Sequence, residues 1–594
     1  MKRDEIPKKY RWKLTDLYET DLLWEQDLKL LQEQCDQLFQ MQGALDDAKS
    51  LLNALQCMDE LDERSIKLFA YARMRRDEDN TVSLYQGMTE RIGIVLSDLC
   101  AKTAFLIPEI VALGQQTVES WCASCEDLAM YRQFFANIFR EAKHTLPKRE
   151  EEILAMASQA TDSGGDVFDM YNNADIRFEK ILDADGNSVQ LTHGNYSVFL
   201  ETPDREVRKN AFLAMYRPYL DHRNMLSATL AANVKKNCFY AKVRGYGSAR
   251  EMALGTDAID LAVYDNLIRT VDENLSKLED YLKLRKKVLG VDELHLYDLY
   301  VPLVQEVNRT YTFEEACDLV YDSVAPLGKR YQADMKHAFE NGWIDVMENE
   351  GKTPGAYSWG SNSEHPFVLL NFHGTLDDVF TLAHEMGHAM HSFYTNQTQP
   401  SVYKKYKIFV AEVASTVNEA LLMQHLLKIE QDSGMRAYLL NHQLEGCRTT
   451  LYRQTMFAEF EREIHSHYEQ GEAITAEWLM SYYAELNKKY FSSVCCIDDE
   501  IAIEWARIPH FYSDFYVYQY ATGYSAAQAL CNGILNDGEP AVTRYLQFLS
   551  SGSSAYPLDL LQKAGVDLRT PDPIRSALEG FDDARRNLEE LLLS

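Results

Sequence analysis

The segment TLAHEMGHAMHSF, from Thr381 to Phe393, sets His384, Glu385, His388 and His391 in an otherwise apolar stretch. In a helix, four residues make close to one turn. His384 and His388 therefore project from one face about 6 Å apart along the axis, a spacing from which two neutral imidazoles converge on one ion. Glu385 lies one position round, where its carboxylate can take a proton from water held at that ion. This is the HExxH pattern. Without a metal or dense hydrogen bonding, two imidazoles and a carboxylate on a buried helix would be strongly destabilising. His391 is two turns beyond His384, too far along an undistorted helix for a third ligand, and reads as an outer-shell or packing residue.

A hydrolytic zinc site needs a third protein ligand and a free position for water. HExxHxxGxxH would supply a histidine, but position 391 is His391 instead of glycine and position 394 is Tyr394. Downstream, IFVAEVASTVNEALL places Glu412 and Glu419 seven residues apart, on nearly the same face of a helix. Apolar flanks at Phe409, Val410, Ala411, Val413 and Ala414 favour Glu412 as a desolvated ligand, with Glu419 as an outer-shell partner.

These side chains need elements to hold them. Thr375 with Asp378 marks the start of the motif helix, the hydroxyl capping the first turn and the carboxylate suiting the positive end of the dipole. Apolar residues at three and four residue spacing predict helices from Leu23 and through Ile153, Met156 and Ala157, and most of the chain reads the same way. Two islands interrupt it. RFEKILDADGNSVQLT, residues 177–192, predicts a β-hairpin with a two-residue Asp185-Gly186 turn, and we place a lobe boundary after it, near Gly194. GKTPGAYSWGSNSEHPFVLLNFHG, residues 351–374, reads as loop with a buried strand at Phe367 to Phe372. The charge-rich tail from Leu578 reads as a solvated helix.

With 594 residues, at least two lobes or one large multi-layer helical domain is expected. Sixty basic against 91 acidic residues give a net charge of -31, which repels phosphate backbones and anionic lipid, so nucleic acid and membrane surfaces are excluded as partners. The N-terminus lacks an apolar secretory core and no window is long and apolar enough to span a bilayer, which makes the cytoplasm the expected compartment. Eleven cysteines, an odd number, predict reduced thiols. Cys122 and Cys125 form a CxxC and Cys495 and Cys496 are adjacent; with no second CxxC nearby, we read free thiols on helices.

PFVLLNFHGTLDDVFTLAHEMGHAMHS, the upstream GAYS, FVAEVASTVNEALL, WARIPHFYSDFYVYQYATGYS and the N-terminal RWKLTDLY together resemble oligoendopeptidase F, within the thimet-oligopeptidase-like zinc peptidases. The resemblance runs nearly end to end. It implies a mainly α fold, a large helical ellipsoid with a deep substrate channel and a small β-sheet next to the zinc. It implies one Zn2+ per chain on His384, His388 and Glu412, with Glu385 as general base, the roles the spacing also suggests. It further implies that His510 and a tyrosine, Tyr518 first and Tyr512 second, hydrogen-bond the oxyanion, and that Gly355, Ala356 and Tyr357 bind an extended peptide by strand addition.

The expected domains are a helical lobe over residues 1–194 and a catalytic domain over 195–594. The expected activity is endopeptidase cleavage of short, unstructured oligopeptides. A zinc carboxypeptidase of similar architecture and a non-catalytic helical scaffold are the alternatives.

Overall fold

The computed structural model describes residues 1–304, 309–360, 364–491 and 493–593. Residues 361–363 of the second non-helical island thus lie outside the described residues. The fold is mainly α, and the strands are short: β1 (Lys180–Leu182), β2 (Ser188–Gln190), β3 (Leu294–His295), β4 (Ile344–Asp345), β5 (Tyr357–Trp359), β6 (Phe367–Leu369) and β7 (Cys495–Cys496). By contacts the chain forms two compact units, Met1–Lys143 with Arg309–Lys428 and Ala527–Val566, and His144–Asn308 with Ile429–Ala526 and Asp567–Ser594. The segments 1–194 and 195–594 stand as a proposal for sequence modules only. In packing, both sides of Gly194 share the second unit, where the helices Ser163–Met170 and Arg223–Val243 lie against one another across that boundary.

The first unit carries the three-stranded sheet, in the order β4-β6-β5. β4 is parallel to β6, with Ile344 opposite Val368, and β5 is antiparallel to it, with Tyr357 opposite Leu369 and Trp359 opposite Phe367. Phe367, Val368 and Leu369 are fully buried, as the apolar run predicts for a central strand. The N-terminal segment runs beside β4, with Lys13 N donating to Gly342 O at 2.7 Å and Val346 N to Tyr10 O at 2.9 Å. Among the described residues β5 has β6 as its one strand neighbour, and both pack on the motif helix, Leu376–Thr398.

That helix begins where the capping signal puts it. Thr375 Oγ1 accepts from Asp378 N at 3.1 Å, and Asp378 Oδ2 accepts in return from Thr375 N at 2.9 Å. The following helix, Ile408–Ile429, carries both downstream glutamates.

In the second unit β1 and β2 form the expected hairpin, but its loop spans residues 183–187 instead of two residues. The Asp183 carboxylate accepts from the N–H of Asp185 and of Asn187, at 3.0 and 2.8 Å, and this holds the wider turn open while Gly186 supplies φ +82°. Helix Lys148–Thr161 forms as expected, yet it buries Leu154 and leaves Ile153 and Met156 exposed. The tail is more than a solvated helix: Asp572–Leu593 buries Ile574, Leu578, Phe581 and Leu588 and packs on helix Ser433–Cys447. All eleven cysteines are free; Cys122 lies in the last turn of helix Gln115–Ser124 and Cys125 follows it, whereas Cys495 and Cys496 form β7.

Candidate metal centre

Three donor atoms meet between the two site helices. His384 Nε2 lies 3.2 Å from His388 Nε2, and Glu412 Oε2 lies 3.3 and 3.4 Å from them. Around a zinc ion with bonds near 2.0 Å, tetrahedral ligands stand about 3.3 Å apart, so the donors already have the spacing of three corners of one coordination shell. The ring tautomer fits as well. Nδ1 of His384 donates to Glu419 Oε1 at 2.5 Å, which leaves the Nε2 lone pair facing the other two donors. Lone pairs aimed together repel unless a cation lies among them. The set therefore fits a catalytic divalent metal with a position open for water.

Close helix packing produces this convergence. A Cβ on Gly387 would lie 2.5 Å from Ser415 Cα and 2.6 Å from the Ala414 carbonyl oxygen, so only glycine lets the helices approach here. Asn418 Nδ2 fixes the register by donating to the Ala383 carbonyl at 3.2 Å, and Ser415 Oγ donates to Glu412 Oε2 at 3.1 Å. Burial corrects one expectation. Val410, Val413 and Ala414 are buried, but the Glu412 side chain is 51% exposed, because immediate neighbours on a helix occupy other faces.

The electrostatics follow from the same geometry. Without a cation among the donors, burial disfavours a charged His384, but hydrogen bonds to Glu412 and Glu419 outweigh it and push the ring up to about 10; a bound divalent ion would displace that proton and take the Nε2 lone pair. His384 and His388 hold Glu412 well below the usual carboxylate range. Glu385 is raised, chiefly by burial and against the pull of both histidines. It is buried, and among the described residues its Oε2 has no hydrogen-bond partner, which leaves an acceptor unmet beside the donor set. His391 takes a packing position: 1% exposed, it stacks on Tyr406 at 3.9 Å, and burial pushes it down to about 3.

Gly355 and Ala356 line a hollow of about 300 Å³ that also includes Asn371, Asp378 and Thr381, the last standing one turn before Glu385. Tyr357 does not present its side chain there. Its hydroxyl donates to Asp77 Oδ2 at 2.9 Å and its ring packs near Trp12.

In the second unit, the aromatic segment divides differently from expectation. Tyr518 opens helix Tyr518–Asp537, is 2% exposed and packs on Tyr264 at 5.0 Å. Tyr512 donates to or accepts from Thr229 Oγ1 at 2.8 Å and stacks on Phe168. The rings that accompany His510 are Tyr520, whose hydroxyl lies 3.3 Å from His510 Nε2, and Tyr516, which stands 5.3 Å from Tyr520. All three are half-buried. The four-residue interval from Tyr516 to Tyr520 was the available sequence signal. For Gly387 the signal was a glycine inside a helix, which costs about 1 kcal/mol unless close packing needs it.

Comparison with known proteins gives a consistent set of relatives. The sequence profile described as "Peptidase family M3" matches residues 198–580, and that described as "Oligopeptidase F" matches residues 109–178. The chain is 47% identical over 592 residues to Oligopeptidase PepF of Bacillus subtilis, covering 100% of this chain and 88% of the relative. It is 41% identical to Group B oligopeptidase PepB of Streptococcus agalactiae, covering 99% and 98%. Among solved structures, a chain from Chlamydophila abortus superposes with TM-score 0.94 at 36% identity over 99% of each chain. Oligoendopeptidase-F from Enterococcus faecium superposes with TM-score 0.74 at 35% identity over 96% and 99%.

Proposed function

The chain belongs to peptidase family M3, and from that premise we propose that it is a zinc endopeptidase of short, unstructured oligopeptides with Glu385 as its general base. One observation carries the reading: His384, His388 and Glu412 converge at ligand spacing beside a buried Glu385 oxygen that has no hydrogen-bond partner among the described residues. When bound, the metal would polarise the scissile carbonyl and make the attacking water more acidic. Glu385 takes the proton of that water at its carboxylate and delivers it to the leaving nitrogen. His510, with Tyr520 or Tyr516 in place of the expected Tyr518, donates hydrogen bonds to the oxyanion.

The substrate backbone pairs along β5, where Gly355 and Ala356 lead into the edge strand, and Tyr357 contributes main chain instead of its ring. Such pairing requires an extended segment with free N–H and C=O groups. Six residues span about 20 Å in that form. A folded protein rarely offers one. Oligopeptides are therefore the substrates and native proteins are not. With a charge of -31, the chain has no nucleic acid partner, and among the described residues no helix is long and apolar enough to cross a membrane. We assign it to the cytoplasm.

Glu385→Gln should keep stoichiometric zinc and lose nearly all turnover, whereas Glu412→Ala should lose the metal. A metal-free Glu385→Gln, or a Glu412→Ala with full zinc and activity, would overturn the assignment. Peptides blocked at both ends, beside the same peptides with free termini, separate the alternatives: an endopeptidase cleaves both, a carboxypeptidase only those with a free C-terminus, and a scaffold neither.

A further inference from the structure

The adjacent cysteines at 495 and 496 take no part in this chemistry. They form β7, which runs parallel to β3 with Leu294 beside Cys495 and His295 beside Cys496. Alternation along the two strands sends Leu294 and Cys495 into the core, where both are buried, and turns His295 and Cys496 together toward the half-exposed face. Glu293 precedes the strand and is exposed.

The imidazole of His295 is held from two sides. Nδ1 donates to Asp498 at 2.9 Å, and the ring stacks on Tyr297 with centroids 4.9 Å apart and planes 13° apart. A carboxylate on Nδ1 leaves the Nε2 lone pair of a neutral ring for an ion and makes it more basic, as in carboxylate–histidine–metal arrangements. A carboxylate oxygen of Glu293, a ring nitrogen of His295 and the sulfur of Cys496 all lie within 4.8 Å of one another. Small side-chain rotations at the three positions, of which Glu293 is the exposed one, would bring a span of that size to the roughly 3.5 Å edge of a tetrahedral shell.

We propose that Glu293, His295 and Cys496 form a second divalent-metal site, separate from His384, His388 and Glu412. One thiolate, one imidazole and one carboxylate suit a borderline transition metal such as zinc, and exclude magnesium and calcium, which take oxygen ligands. Three protein ligands leave one position to water. The site lies on a ladder only two residues long, between segments far apart in sequence. Its ion clips β3 to β7 and takes no part in peptide hydrolysis.

Cobalt separates the two sites because only this one has a sulfur ligand. Titration of Co2+ into the metal-stripped full-length protein should raise a thiolate-to-cobalt charge-transfer band that saturates by two equivalents in the wild type, where both sites fill, and at one equivalent in His384→Ala. The band should persist in His384→Ala and vanish in Cys496→Ala. As a second readout, Zn2+ should slow alkylation of Cys496 at least tenfold in the wild type, followed by mass spectrometry of its peptide. Absence of the band, its survival in Cys496→Ala, or an alkylation rate unchanged by Zn2+ would overturn the proposal.

Discussion

Glu419 accepts from Nδ1 of His384 at 2.5 Å, on the opposite edge of the ring from the Nε2 that faces Glu412 at 3.3 Å. The two glutamates of one helix thus divide the work on a single imidazole, one meeting it at the ligand nitrogen and the other fixing its tautomer and aim. Glu419→Gln keeps an acceptor but removes the charge. Zinc affinity, read by competition with a chelator, should fall about 10- to 100-fold, and excess zinc should restore turnover. An unchanged affinity would make Glu419 a bystander.

Gly387 offers a sharper test of the helix contact. By helix propensity, alanine should stabilise the motif helix by about 1 kcal/mol. Its Cβ would instead meet the backbone of Ser415 and Ala414, which cannot rotate away. Gly387→Ala should lower the thermal midpoint, with an overpacking cost of about 1–3 kcal/mol, and weaken zinc binding together with it. Gly446, inside helix Ser433–Cys447, has nothing within 4 Å of an added Cβ, and Gly446→Ala should stabilise. The opposite signs check the explanation, and two stabilised variants would refute it.

These residues also mark what was legible in the sequence. The cap at Thr375, the pairing of His384 with His388 and the run at Phe367 are local patterns, set by one turn of helix or by one strand, and each is present in the structure. The exposure of Glu412 is not legible from its apolar flanks, which describe adjacent helix faces and not its own. The sequence points to Tyr518 and then Tyr512, and not to Tyr520, because nothing local reveals that Tyr264 covers position 518. A shift of two residues turns a side chain about 200° around a helix. The interleaved units rest on pairings between distant segments, which no short window of sequence contains.

Glu461 is wholly buried in helix Arg453–Glu469 and accepts the backbone N–H of Phe515 at 2.7 Å. Phe515 has φ +52°, a left-handed conformation unfavourable for a side-chain-bearing residue, and the carboxyl holds it there. Glu461→Leu would leave that N–H unpaired, costing about 1–3 kcal/mol, and should speed hydrogen exchange of the amides from Ser513 to Tyr516. Glu461→Gln keeps the acceptor and should not. Burial raises the Glu461 pKa well above that of the unfolded chain. Its contribution is therefore full at acid pH and declines as pH rises through the folded value. Relative to wild type, Glu461→Gln should gain stability as pH rises, and a difference that does not change with pH would contradict this.

His465 should govern part of the acid limb of stability. Its neutral ring is fully used, with Nδ1–H donating to the Glu461 carbonyl at 2.8 Å and Nε2 accepting from Asn237 Nδ2 at 3.2 Å. Burial pushes its pKa down to about 4 from the ordinary 6.5. As pH falls below 6.5, the unfolded chain takes up a proton that the folded chain refuses, so stability is full above 6.5 and is lost progressively toward 4. At 1.36 kcal/mol per unit, the loss is about 2 kcal/mol at pH 5 and about 3 kcal/mol once both states are protonated. His465→Gln cannot titrate, so it should start less stable at neutral pH yet lose less on acidification. Thermal midpoints of both proteins at pH 7, 6 and 5 measure the difference. Parallel curves would mean that other groups set the acid limb.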